Sequence, residues 1–187
     1  MNCNISSNNF GLYYITNYIY GSVIPNLGFQ SLVGYSEVKS SPVYFYVQKS
    51  GATVAVGRIP FELTKLNIGG AMNAGSGIFT APRSGIYSFA FTGIGFYPTG
   101  NKLGVLRIAL MLNGVEVGLG VTHTKEDYSI HTISLNSVLA LKKGDQVWMK
   151  LHSLESGAMI YDDNQHYTHF TGYLLQENVA SSFNLLA

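Results

Sequence analysis

Two runs of alternating side chains meet at Asn113-Gly114. Before it, Leu106, Ile108, Leu110 and Leu112 alternate with Val105, Arg107, Ala109 and Met111; after it, Val115-Glu116-Val117 resumes the alternation. A side-chain period of two belongs to strands. Asn-Gly supplies the two positive-φ residues of a type I′ turn, so this stretch predicts an antiparallel hairpin.

The same grammar extends from Pro42 onward. Val43-Tyr44-Phe45-Tyr46-Val47 is an aromatic and β-branched run that ends at Ser50-Gly51. Ile59 to Ile68 sets Phe61 and Leu63 against Glu62 and Thr64, and Gly69-Gly70 closes it. Ala81-Pro82-Arg83-Ser84-Gly85 is a turn signal. It leads into Tyr87, Phe89 and Phe91, which alternate with the uncharged Ile86, Ser88, Ala90 and Thr92, as in a strand covered on both faces. His131, Ile133, Leu135, Leu139 and Leu141 share a face of the next strand. Lys142-Lys143-Gly144-Asp145 turns the chain, Val147, Met149 and Leu151 continue, and a last strand runs from Tyr167 to Leu175. Many short strands without helical periodicity predict a sandwich or a jelly roll, and period alone does not choose between them.

Composition narrows the function. Of 187 residues, 47% are hydrophobic and 11% charged, against roughly 25% charged in ordinary soluble domains. So apolar a chain must cover surface by self-association or present an apolar binding face. The net charge of +1 and the lack of a Lys/Arg run give no footprint for nucleic acid. No run of ~18 apolar residues predicts a membrane-spanning helix. The one cysteine, Cys3, excludes an intrachain disulfide and reads as a free thiol, with interchain pairing the alternative.

Three segments are expected: a poorly patterned stretch at 1–40, a globular domain at 41–179 and a tail at 180–187. Residues 1–40 show neither heptads nor Gly-X-Y repeats, and no signal peptide is read in them. Asn4-Ile5-Ser6 is a glycosylation sequon.

Three motifs in order carry a resemblance. Gly77-Ile-Phe-Thr-Ala-Pro-Arg-Ser-Gly-Ile-Tyr-Ser-Phe89, Leu139-Ala-Leu-Lys-Lys-Gly-Asp-Gln-Val-Trp148 and Phe170-Thr-Gly-Tyr-Leu174 resemble the signature of the C1q domain family, as does the position of Asn113-Gly114. Tyr173 stands where the family usually has Phe. The resemblance implies an all-β, ten-stranded, two-sheet jelly roll of the C1q and tumour-necrosis-factor kind, assembled as a homotrimer or as a heterotrimer with related chains. Tyr87, Phe89, Phe170, Tyr173 and Leu174 are then expected in the core or between subunits. Gly172, inside an aromatic strand, predicts close approach of another backbone or ring.

No catalytic, cofactor-binding or metal residue is assigned. His166 and His169 are three apart in a loop entering a strand, where odd spacing sends side chains to opposite faces, and zinc needs more ligands than these. Asp162, Asp163 and Asn164 offer hard oxygens of the kind calcium takes, against the alternative of a solvated polar loop. Some C1q-like trimers bind calcium near the apex. Ser129, His131 and Asp127, with His123 nearby, assemble a triad only on paper, because no nucleophile elbow accompanies them. Glu126-Asp127 reads as a solvated turn. The glycine-rich Ile68–Gly77 lacks the Gly-Lys-Ser/Thr ending of a phosphate loop, and Trp148 reads as core.

The resemblance therefore implies a secreted, non-enzymatic recognition domain that binds extracellular protein or carbohydrate ligands, in innate-immune pattern recognition or lectin-like binding. The alternative is a cerebellin-like or tumour-necrosis-factor-like signalling ligand for a cell-surface receptor.

Overall fold

The structure is a computed structural model that describes residues 41–98, 103–126 and 128–178. The segment 1–40, the expected tail 180–187 with the preceding residue, Cys3, the sequon and Asp127 lie outside the described residues.

Alternation becomes strands wherever a turn residue lets the chain reverse. The described residues form β1 (Tyr44–Gln48), β2 (Gly57–Arg58), β3 (Leu63–Ile68), β4 (Met72–Asn73), β5 (Ile78–Thr80) and β6 (Gly85–Tyr97). After these come β7 (Gly104–Leu112), β8 (Val115–Thr124), β9 (Ser129–Leu141), β10 (Gln146–Glu155), β11 (Met159–Tyr161) and β12 (His169–Glu177). Twelve strand segments thus stand among the described residues where ten strands were expected; β2 and β4 have two residues each and β5 and β11 three.

They make two antiparallel sheets. In the first, β9 pairs with β6 over its whole length. The other edge of β6 takes β12 as far as Thr92 and β11 from Ile94, and β1 and β3 follow β12. In the second, the order is β8, β7, β10, β5, β4, with β2 prolonging β5 along β10. The inner faces enclose one core, in which Phe45, Phe61, Phe79, Tyr87, Phe89 and Phe170 pack ring to ring. Phe45 and Phe170 meet edge-on at 5.0 Å, and Phe79 and Phe89 at 5.3 Å. Edge contacts of this kind suit the ring quadrupoles.

Gly172 is why these rings fit. It is registered between Phe45 and Phe89, and a Cβ there would stand 2.5 Å from Phe45 Cε1 and 2.6 Å from Phe89 Cδ1. The predicted close approach is therefore to two rings.

The motif turns converge at one end of the sandwich. Asn113 and Gly114 take φ of 50° and 90°, as the type I′ hairpin requires. Asn113 Nδ2 donates to Asp145 Oδ1 at 2.9 Å, while Asp145 Oδ2 accepts from the Lys142 amide at 2.7 Å. The Ala81 amide donates to the Asp145 carbonyl, Gly144 returns a bond to the Ala81 carbonyl, and the Lys143 amide reaches Ser84 Oγ. Three turns far apart in sequence thus satisfy one another's backbone groups.

Three local expectations change. Ile59–Ile68 is not one strand: Ile59 and Phe61 plug the core, and pairing with β1 begins only at Leu63. The short β11 had no alternation long enough to read. Trp148 is half-buried on the outer face of the second sheet, under the Arg58 guanidinium at 5.1 Å, rather than in the core.

Candidate recognition surface

Because side chains alternate, the residues that fill the core fix what points outward. Across the first sheet the register places Ile68, Tyr44, Tyr173, Ser88 and Val138 side by side. The next row is Leu66, Tyr46, Thr171, Ala90 and Asn136, and a third holds Gln48, His169, Thr92 and Ser134. None of these is Asp, Glu, Lys or Arg. Tyr44, Leu66, Ile68, Val138 and Tyr173 are all exposed. Of the residues expected in the core or between subunits, Tyr87, Phe89 and Phe170 are buried, Leu174 packs against the core edge, and Tyr173 points outward.

The outer face of the second sheet is different. Glu116 Oε1 lies 2.7 Å from His152 Nδ1, which donates to it, and 3.6 Å from Lys150 Nζ. The His152 hydrogen bond holds the Glu116 carboxyl below the usual carboxylate range, helped by the charges of His152 and Lys150. Arg107 pairs with Glu155 at 3.0 Å and donates to Ser153. Beside this lattice the edge strand β8 turns Val117, Leu119 and Val121 outward, while its inward positions are Gly118, Gly120 and Thr122. A Cβ at Gly120 would come within 3.2 Å of the Ser134 carbonyl, so small residues let β8 close against β9.

At the loop end, Tyr161 stacks near Tyr167 and tilts against Phe96. Its hydroxyl donates to Asp163 Oδ2 at 3.0 Å, and that carboxylate pushes the phenol pKa up. An open depression of about 440 Å³ lies at the opposite end, between the Gly69-Gly70 turn, Asn73, Thr80 and Gln146.

The suggested chemical groups are accounted for by scaffolding. Asp162 is buried and accepts the amides of Asp163 at 2.8 Å and Thr168 at 2.7 Å. Asp163 accepts the Gln165 amide at 2.7 Å as well as the Tyr161 hydroxyl. No group of three or more His, Cys, Asp or Glu able to hold a metal occurs among the described residues. Carboxylates engaged in this way do not fit a calcium cage, which needs several converging oxygens. His166 Nδ1 donates to the Lys49 carbonyl at 2.7 Å, and His169 faces outward beside Tyr46. Ser129 Oγ donates to the Glu126 carbonyl, His131 turns inward edge-on to Tyr97, and His123 points outward on β8. The histidines of the paper triad therefore face opposite ways.

The sequence had signalled the uncharged outward positions of β6. It carried no sign that Tyr44, Tyr173 and Val138 extend the same row, because that alignment depends on pairing across the whole domain.

Among the described residues no helix is long and apolar enough to cross a membrane.

Known proteins share this arrangement. The chain is 37% identical over 124 residues to Caprin-2 of Danio rerio, covering 64% of this chain and 12% of that protein. It is 30% identical over 138 residues to human Complement C1q tumor necrosis factor-related protein 3, covering 74% of this chain and 50% of the relative. The chain thus spans half or less of the length of these relatives. The globular domain of zebrafish Complement 1qA superposes with a TM-score of 0.57 at 19% identity, over 73% of this chain and 99% of that one. Murine APRIL at pH 5.0 superposes with a TM-score of 0.54 at 15% identity, over 72% and 99%. Both support the two-sheet fold. The C1q domain model matches residues 44–175, which run from the first residue of β1 into β12, and the chain belongs to this family of non-enzymatic globular heads.

Proposed function

We propose that this domain is an extracellular recognition head that works as a trimer, of identical or related chains, with the outer face of the first sheet buried between subunits. One observation carries the reading: adjacent rows across β3, β1, β12, β6 and β9 hold aromatic, aliphatic and small polar residues without a charge. Depletion of charge with enrichment of tyrosine marks the centre of a protein interface. The face also resolves the composition, since burying it in an assembly removes the surplus apolar surface.

Ligands are then read by what the assembly leaves open, namely the loop end and the charged outer face of the second sheet. Weak contacts repeated on three heads gain by multivalency. Membership of the C1q domain family makes glycan or microbial-surface recognition in innate immunity the ligand class put forward here.

Sedimentation of the wild type and of Val138→Glu tests the assembly. Val138 is 61% exposed, so the fold of the variant survives, and its added charge should leave a monomer where the wild type is trimeric. A wild type that stays monomeric at micromolar concentration overturns the trimer. Recovery of the full-length gene product from the medium of expressing cells tests the location. Screens against glycans and microbial surfaces test the ligand class. Saturable binding to one cell-surface protein, with no glycan binding, would instead favour a signalling ligand.

A further inference from the structure

The hairpin turn at Asn113-Gly114 has a chemical property that its scaffolding role does not use. Glycine leaves the backbone nitrogen after an asparagine unshielded, and asparagine is among the thermolabile residues. Here both residues are exposed, and a Cβ at Gly114 would meet nothing within 4 Å. The nucleophile is open. The electrophile is not free to reach it: the Asn113 amide donates from Nδ2 to Asp145 Oδ1 at 2.9 Å and accepts at Oδ1 from the Gln146 amide at 2.8 Å. Both ends of the amide are tied to the turn between β9 and β10.

We propose that Asn113 is a self-modification site, deamidated through a cyclic imide, and that Asp145 is the positioning residue that restrains the reaction. The Gly114 backbone nitrogen loses its proton and bonds to Asn113 Cγ. The Cγ–Nδ2 bond breaks and ammonia leaves, closing a succinimide. Water then adds to either imide carbonyl and opens the ring to aspartate or isoaspartate, with no oxidant or reductant involved. The aspartate product replaces the donor by a carboxylate facing Asp145 Oδ1, where the donor stood 2.9 Å away; in isoaspartate Cγ enters the main chain and the donor is lost outright. In the aspartate form the bond that held the two turns becomes a repulsion. Isoaspartate also lengthens the backbone of a two-residue turn and disrupts its register. The modification is therefore one-way and loosens the end of the sandwich where the three motif turns meet.

The test incubates the purified full chain in warm, mildly alkaline buffer and follows the Asn113 peptide by mass spectrometry, with isoaspartate labelled enzymatically. Asp145→Ala should convert about tenfold faster than the wild type, equivalent to ~1.4 kcal/mol of lost restraint. Ile133→Ala, a core change on the middle of β9, serves as a variant destabilised away from the turn and should not accelerate conversion comparably. Asn113→Asp should lower the thermal midpoint, and Asn113→Asp with Asp145→Asn should recover most of the loss by removing one carboxylate. Equal rates in the wild type and Asp145→Ala, matching acceleration in Ile133→Ala, or no recovery in the double variant each overturn the proposal.

Discussion

Lys49 Nζ lies 3.0 Å from Glu62 Oε1, with the lysine side chain 3% exposed and the glutamate 43% exposed. The ammonium also donates to the Pro60 carbonyl at 3.1 Å, and the second Glu62 oxygen accepts the Ser50 amide. Removing one partner of a buried pair is costly when it leaves a buried charge uncompensated, as it would the lysine, and mild when the charge left behind is one that water reaches, as it would be the glutamate. Glu62→Ala should cost ~1–3 kcal/mol, below the fully buried range because water reaches the glutamate side. Lys49→Met should stay within about 1 kcal/mol of the wild type. Urea midpoints for the two variants check the asymmetry, and equal losses would refute it.

Gly172→Ala places a methyl where Phe45 and Phe89 already meet. Overpacking of this kind costs ~1–3 kcal/mol, and more where the displaced atoms belong to buried rings. The thermal midpoint should fall while far-ultraviolet spectra keep their strand signature. A midpoint unchanged from the wild type would show that the rings move aside freely.

Asp162→Ala should destabilise by about 2–3 kcal/mol, since the buried Thr168 amide and the part-buried Asp163 amide lose a charged acceptor. Chelation of divalent cations should leave the wild-type thermal midpoint unchanged, because the loop carboxylates already hold backbone amides. A midpoint that drops with chelator and returns with calcium would contradict this account.

Glu116 gives the acid response a direction. Its carboxyl is held below the usual range by the His152 hydrogen bond, so between the two pKa values the unfolded chain binds more protons than the folded one. The contribution is therefore present above the ordinary glutamate range and lost as pH falls through the lowered folded value. Glu116→Gln should flatten the acid limb of the stability profile in denaturant titrations across pH. An unchanged slope would sink the idea.

What the sequence made legible followed local rules. Alternation placed β6, β7, β9 and β10, and Asn113-Gly114 announced its own turn, because a type I′ turn is set by two adjacent residues. Gly172 announced a close approach but not its partners, since Phe45 and Phe89 lie on strands far away in the chain. Ile59 and Phe61 looked like strand because apolar spacing does not distinguish a core plug from a paired segment. The uncharged face was half visible, as the even positions of β6; its continuation through Tyr44, Tyr173 and Val138 exists only in the register of five strands. Asp162 suggested a ligand by residue type, and its backbone amides became visible only with the loop geometry.

The pairing of β1 with β12 also sets an order of events during synthesis. Thr171 Oγ1 donates to the Phe45 carbonyl across 126 residues of chain, and β1 separates β12 from β3. Until β12 has left the ribosome, β1 and β3 have no sheet to join, and the inner side of Phe45 stays wet. Closing such a distant contact is slow. A nascent domain of this design therefore carries one open edge on an aromatic strand until its last strand arrives.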